Sequence, residues 1–398
     1  MQRLRDFYDM MRRNRDIRKE ITALYIQKDR VPDEKIRVLK ENLESIKNVP
    51  NESGVYELEL YEGRRINMDF TYEIDELEKD IVFLERPENE FYVFLDNYYE
   101  GFQKAVDKTA EFLDGFEINN FITDRDGTIN NYCSRYLSSV QSVYNAVFLT
   151  GFAREKTKNS VILTSAPLAG PGLIELSVNP EGVFIYAGSK GREYMDKSGE
   201  KGTMEIEPEK REMLRKLNEK LIELTENPEY AIFKLIGSGL QFKFGQTTAA
   251  RQDIKESISK EKSLEFLEKI KNIVKEIDPE NKTFRIEDTG RDVEIILTIE
   301  SEGGVKDFDK GDGVKLLNER LDLQLSSGGN LVCGDTVSDL PMVEAAVKKA
   351  PERTKAFFVT NDGSLAEKLK KICPDSTAVP CPDVLAAALY KSSKAGKK

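Results

Sequence analysis

The sequence predicts an α/β protein: a doubly wound, Rossmann-like core, split by an α+β insertion and preceded by a helical region. Three observations carry that expectation. From Phe121 onward short apolar runs alternate with helical patterns: FIT before a pair of aspartates, SVILTS, LIELSV, GVFIYAG, NLVCGD and AFFVTND. Such βα alternation belongs to sheets with helices on both faces, whose ligands gather at the carboxyl ends of the strands. Residues 205–300 have a different texture, and residues 1–48 carry apolar side chains at helical spacing.

Taken in order, Leu4, Phe7, Met11, Ile17, Ile21 and Leu24 mark a first helix, and Ile36, Leu39, Leu43 and Ile46 a second beyond the break at Val31-Pro32-Asp33. VYELELYEG alternates like a short strand. Ile74, Leu77, Ile81 and Leu84, then Phe91, Leu95, Tyr98, Phe102 and Val106, mark two more helices. Residues 1–85 are expected to form a helical accessory domain, with residues 86–204 and 301–398 as the core. The insertion at 205–300 reads as a helix (Met213, Leu217, Leu221, Leu224), a strand-like FKLIGSGLQFKFG, a second helix (Leu264, Leu267, Ile270, Ile273) and the strand DVEIILTIE. It is placed to cover the strand ends of the core.

Composition excludes several functions. The 60 Lys+Arg against 71 Asp+Glu give a net charge of −11 over 398 residues, which argues against a general nucleic-acid binder. No segment approaches the roughly 20 apolar residues of a membrane helix, and MQRLRDFYDMMRRNRD lacks the apolar run of a secretory signal. A cytosolic protein without membrane or nucleic-acid partners is expected, with self-association through the N-terminal helices as an option. Cys133, Cys333, Cys373 and Cys381 form no C-x-x-C pair and read as reduced bystanders. The chain has no histidine, so Ser-His-Asp, Cys-His and histidine-zinc chemistry are all excluded. Catalysis has to run on carboxylates, lysine, hydroxyls or an oxygen-bound metal.

The segment FITDRDGTIN places Asp124 and Asp126 just after an apolar run, two residues apart and so able to face one pocket from a strand end. Three further segments each put a polar group after a strand-like run: Ser165 after VILT, Lys310 in FDKGDG, and Asp335 with Asp339 in LVCGDTVSDLP. Alone, each has an ordinary explanation as a turn, a cap or a surface lysine. Together, in this order, they resemble the haloacid dehalogenase superfamily of phosphohydrolases. The resemblance implies that Asp124 attacks phosphorus and that Asp126 acts as acid, then base. It further implies that Ser165 and Lys310 hold the phosphoryl oxygens and that Thr128 steadies the turn at Gly127. A magnesium ion would lie between Asp124, the backbone carbonyl of Asp126 and Asp335, with Asp339 orienting that shell.

The large α+β insertion between the Ser165 and Lys310 segments sits where this superfamily carries its type II cap. FITDRDGTINNYCSRY, GSGLQFKFGQ and GDTVSDLPM together resemble the trehalose-6-phosphate phosphatase family, in particular its nematode branch with a helical N-terminal domain. Two departures stand out. Gly188-Ser189-Lys190-Gly191 has lysine where the family pattern G-x-H-G has histidine, and Gln241 to Lys243 replaces the family's H-Y-R. The resemblance implies a sugar phosphate as substrate, with Lys234, Gln241, Lys243, Lys190 and Arg192 as candidate sugar contacts. Another sugar phosphate, such as sucrose 6-phosphate or a monosaccharide phosphate, is the alternative, and a non-catalytic scaffold acting through the N-terminal helices is a further one. Heptose-bisphosphate and histidinol-phosphate phosphatases resemble DRDGTIN closely. They carry a Cys/His zinc loop and almost no cap, which this chain contradicts. Since no candidate site residue precedes Asp124, the helical region is expected to be dispensable for chemistry.

Overall fold

A computed structural model describes residues 1–52, 55–61, 63–253, 256–301 and 304–394. Its largest sheet has eight strands in the order Ser376–Val379, Thr354–Val359, Asn330–Gly334, Asn120–Thr123, Asn159–Leu163, Ile185–Gly188, Glu193–Met195 and Lys201–Thr203. The strands from Ser376–Val379 to Ile185–Gly188 pair in parallel, and the last two turn back antiparallel. Asn120–Thr123 lies where the chain order reverses, with later pre-insertion strands on one side and post-insertion strands on the other. This is the position at which open α/β sheets leave a crevice at their strand ends.

The sheet is buried on both faces because neighbouring residues of each strand point to opposite sides. Phe121, Ile162 and Leu331 belong to one apolar cluster, and Ile122, Val161 and Val332 to the other. The first cluster includes helices Val143–Lys156 and Pro382–Lys394, where the Phe148 and Tyr390 rings stack at 4.4 Å. The second is closed by helices Lys310–Leu321, Leu340–Lys349 and Gly363–Ile372 through Val314, Leu317, Val343 and Leu369.

The N-terminal region holds helices Leu4–Gln27, Asp33–Lys47 and Thr71–Glu85, with a small antiparallel sheet formed by Asn51–Glu52, Val55–Tyr61 and Arg64–Met68. Its apolar faces merge with the first core cluster. Phe83 and Phe91 lie 5.3 Å apart and both meet Phe148, so the expected boundary at residue 85 falls inside continuous aromatic packing. A buried ion pair reinforces the contact: Arg18 lies 2.7 Å from Asp80, which accepts the Val143 amide at the start of helix Val143–Lys156. Each charge is compensated, as burial requires.

The insertion forms a separate antiparallel sheet, ordered Phe284–Asp288, Asp292–Leu297, Gln246–Ala250 and Leu240–Lys243, with helices Pro208–Glu226 and Lys260–Ile277. Ala249, Val293 and Ile295 supply its apolar face and join the same cluster as Leu217, Leu221, Phe266 and Ile270. The alternate residues Gln241, Lys243, Asp292 and Glu294 take the other face. Two sequence expectations change here. LIEL at 173–176 is a single helical turn rather than a strand, with Glu175 closing it through the Gly172 amide at 2.8 Å. FKLIGSGLQFKFG is not one strand: Ala231–Lys234 is a 3-10 turn, and pairing begins at Leu240 after Gly237 and Gly239, both at positive φ.

Candidate active site

Asp124 and Asp335 leave the sheet from adjacent parallel strands, with Thr123 and Cys333 in register, so their side chains emerge at the same end. Ser165 follows the next strand, Asn159–Leu163. Lys310 opens the helix Lys310–Leu321, whose start is fixed by Asp309 accepting the Asp312 amide at 2.9 Å. That cap aims the Lys310 ammonium between two carboxylates, 2.6 Å from Asp124 Oδ1 and 2.5 Å from Asp339 Oδ1. Lys310 and Asp124 are buried, and Asp339 is wholly so. The second oxygen of Asp339 accepts the amides of Asp335 and Thr336 at 3.1 and 3.0 Å. Asp339 is thereby saturated by protein donors, which suits an orienting group.

Gly127 is demanded by this geometry. Its φ is +87°, and a Cβ there would come within 2.3 Å of an Asp335 carboxylate oxygen. Thr128, buried behind it, donates to the other Asp335 oxygen at 3.2 Å. On Asp126 all the donors meet Oδ1: Ser139 at 2.9 Å, Asn130 at 3.4 Å and the neighbouring Arg125 guanidinium. One face of the Asp126 carboxylate is fixed and the other lines the cleft.

Burial pushes the carboxyl groups of Asp124 and Asp335 well above the usual carboxylate range; the negative charges of Asp339 and Asp126 add to the shift of Asp124, and those of Asp124 and Asp339 to the shift of Asp335. Lys310 pulls Asp124 back only in part. Asp339 is also buried, yet Lys310 and the two amides hold it below the usual range. Oxygens of Asp124, Asp335 and Asp339 all lie within 4.8 Å of one another. With Asp339 already satisfied by Lys310 and two amides, Asp124 and Asp335 supply the hard oxygens of the kind a small divalent cation takes.

These groups floor a cleft of about 300 Å³ whose opposite wall is the inserted sheet and its loops. Gln241 and Lys243 line it, as the sequence expects. Lys243 is buried, and desolvation lowers its pKa despite Glu294 at 3.9 Å. Lys234, Lys190 and Arg192 are not among its lining residues. Lys234 is displaced because it sits in the 3-10 turn before the strand, not on it. Arg192 is buried at the junction of core and insertion, bonding the carbonyls of Gly245 and, at 3.1 Å, Leu297. It pins the insertion to the core. Lys190 has φ +62° in the neighbouring turn, and its charge helps to lower the pKa of Lys243. Sequence reading missed Tyr132, Ser238, Gln252, Arg291 and Asp292, which line the insertion side and mouth of the cleft. Tyr132, Ser238 and Gln252 come from separate loops, Arg291 from the turn before a strand and Asp292 from its first residue, all of ordinary polar composition, so nothing marks them beforehand. Asn130 and Ser139 were missed too, although Asn130 stands within the DRDGTIN segment.

Residues 121–385 match the family model for trehalose-6-phosphate phosphatase, C-terminal, and residues 3–100 match that for the trehalose-6-phosphate phosphatase N-terminal helical bundle domain. The chain belongs to the trehalose-6-phosphate phosphatase family. A trehalose-phosphatase of Brugia malayi is 31% identical over 427 residues, covering 98% of this chain and 85% of that protein. An alpha,alpha-trehalose-phosphate synthase [UDP-forming] 1 of Caenorhabditis elegans is 36% identical over 342 residues, covering 81% of this chain. The chain spans only 26% of that synthase, and 33% of a second C. elegans synthase that is 29% identical. Among solved structures, the C. albicans trehalose-6-phosphate phosphatase C-terminal domain aligns at 13% identity and a TM-score of 0.47, over 72% of this chain and 96% of that domain. Family membership accounts for the α/β core, the insertion and the helical N-terminal bundle together. No helix among the described residues is long and apolar enough to cross a membrane.

Proposed function

We propose that the chain hydrolyses trehalose 6-phosphate to trehalose and phosphate through an aspartyl-phosphate intermediate. The observation that carries this reading is the buried Asp124–Lys310–Asp339 cluster, set beside Asp126 at the point where the strand order reverses. With Lys310 engaging Oδ1, the other oxygen of Asp124 attacks phosphorus. The bond from phosphorus to the sugar oxygen breaks, and Asp126 gives that oxygen its proton. Water then attacks the aspartyl phosphate while Asp126 takes a proton from it, releasing inorganic phosphate and restoring Asp124. Ser165 and Lys310 bind the phosphoryl oxygens. Asp124, Asp335 and the Asp126 carbonyl would hold magnesium, which when bound offsets charge on those oxygens.

The insertion supports the sugar half of the proposal. Its cleft face mixes Lys243 and Arg291 with Gln241, Gln252 and Asp292, so donors and acceptors alternate over a short span. A neutral polyol satisfies both kinds of group, whereas a second phosphate would meet the carboxylate of Asp292. We place this activity in the cytosol, with a sugar phosphate as the partner molecule.

The test is phosphate release from a panel of sugar phosphates with magnesium present. The highest kcat/KM is expected for trehalose 6-phosphate. Higher efficiency on sucrose 6-phosphate or glucose 6-phosphate would reassign the sugar, and no turnover of any phosphate ester would leave the scaffold reading.

A further inference from the structure

The N-terminal helix Thr71–Glu85 reaches into the catalytic loop. Its Tyr72 hydroxyl lies 3.1 Å from Asn130 Oδ1 and 2.9 Å from the Val140 carbonyl, so one proton is shared between two acceptors. Both Tyr72 and Asn130 are buried. The other end of the Asn130 amide, Nδ2, donates to the Asn131 carbonyl at 3.0 Å and faces Ser139 Oγ at 3.3 Å and Asp126 Oδ1 at 3.4 Å. Arg18, on the first helix, donates to the same Val140 carbonyl at 3.1 Å.

We propose that Tyr72 is a positioning residue for the acid/base step, acting on Asp126 through the Asn130 amide. The inference rests on the role assigned to Asp126 above. An asparagine amide presents an acceptor at one end and donors at the other, and only its partners decide which faces where. The Tyr72 hydroxyl on Oδ1 and the Asn131 carbonyl on Nδ2 together hold the donor end toward Asp126. Without it, the amide can turn and set its oxygen against the carboxylate, removing a hydrogen bond and adding repulsion between two acceptors. Asp126 then keeps Ser139 and Arg125 but loses one of the three donors that together present its free oxygen to the leaving group. The helical region is thus part of the catalytic scaffold, contrary to the expectation that it is dispensable for chemistry.

The experiment compares two leaving groups in the full chain. A sugar alkoxide needs a proton from Asp126 as it departs, whereas p-nitrophenolate leaves without one. Tyr72→Phe removes only the hydroxyl and should cut kcat/KM on trehalose 6-phosphate about tenfold, the scale of one lost hydrogen bond. The loss on p-nitrophenyl phosphate should stay below about twofold. Asn130→Ala should show the same asymmetry, and the double variant should lose no more than Asn130→Ala alone, because both act along one chain of contacts. Equal losses on both substrates, or no loss on the sugar phosphate, would overturn the positioning role. If Tyr72→Phe fails to fold, Asn130→Ala decides by the same ratio. Failure of the wild type on both substrates would instead remove the reading of Asp126, and this inference with it.

Discussion

The two walls of the cleft are built on different principles. On the core side, Asp124, Asp335, Ser165 and Lys310 each sit within two residues of a strand end or at the first position of a helix, and neighbours lock Asp124, Asp335 and Lys310. On the insertion side, Gln241 and Lys243 come from a strand, but Ser238, Gln252 and Arg291 come from turns. Fixed positions suit the phosphoryl group, whose charge and shape are the same in every substrate. A loop-built wall can change residue by residue without moving the core. If the core wall carries the chemistry and the insertion wall the selectivity, as proposed, variants of each wall should fail in different ways.

The largest expected effect lies on the core wall. Asp124→Asn should lower kcat by at least about 10⁴-fold on every phosphate ester, since an amide cannot be the nucleophile. Its melting temperature should not fall, because the change removes one of several crowded negative charges. Near wild-type turnover in that variant would end both the mechanism and the contrast between the walls. Asp126→Asn should lower kcat/KM by about 10²–10⁴-fold on the sugar phosphate and much less on p-nitrophenyl phosphate, because kcat/KM reports the steps up to departure of the leaving group. Its kcat should fall on both, since water attack needs the same base.

How much of this was legible in the sequence follows the same division. The core site could be read because each strand end is punctuated locally: FIT then Asp124, VILT then Ser165, LVCG then Asp335. Strand alternation and turn chemistry act over a few residues, so spacing alone carries them. The insertion wall depends on register between distant strands. Gln241 opposes Thr248, which in turn opposes Glu294. No local rule fixes that pairing, and the glycines at 237 and 239 postponed the strand beyond Lys234. The Tyr72 contact was invisible for the same reason, since 58 residues separate it from Asn130.

A smaller effect separates metal-free from metal-loaded protein. Burial raises Asp124 to about 7 and Asp335 to about 8, against an ordinary value of 3.8. The folded state therefore binds more protons than the unfolded chain between about pH 4 and 8, and the stability these groups supply declines as pH rises through that window. With chelator present, the wild type should be less stable than Asp335→Asn by a few °C at pH 8 and nearly equal to it at pH 5. Magnesium should raise the wild-type melting temperature at pH 8 and do little for Asp335→Asn. A wild type that matched the variant at pH 8 without metal would show that the carboxylates do not repel as their burial implies.

The smallest effect is the sharpest test of the insertion wall, because it sets two lysines nine residues apart against each other. Lys243 is buried in the cleft face of its strand, where desolvation lowers its pKa. A hydroxyl of the sugar would replace water as its partner, and a donor lost from such a site costs about 1–3 kcal/mol, or roughly 5- to 150-fold. Lys243→Met keeps the apolar stem and removes the ammonium. It should lower kcat/KM for trehalose 6-phosphate by that factor and leave p-nitrophenyl phosphate, which is too short to meet the insertion, near the wild-type rate. Lys234 is half-buried in its 3-10 turn and does not line the cleft, so Lys234→Ala should change neither substrate by more than about twofold and stability by about 0.5 kcal/mol or less. If Lys234→Ala proved the more damaging of the two on the sugar phosphate alone, the insertion would have to close through a rearrangement that brings the turn Ala231–Lys234 over the strand ends. The wall identified through Gln241 and Lys243 would then belong to the open state.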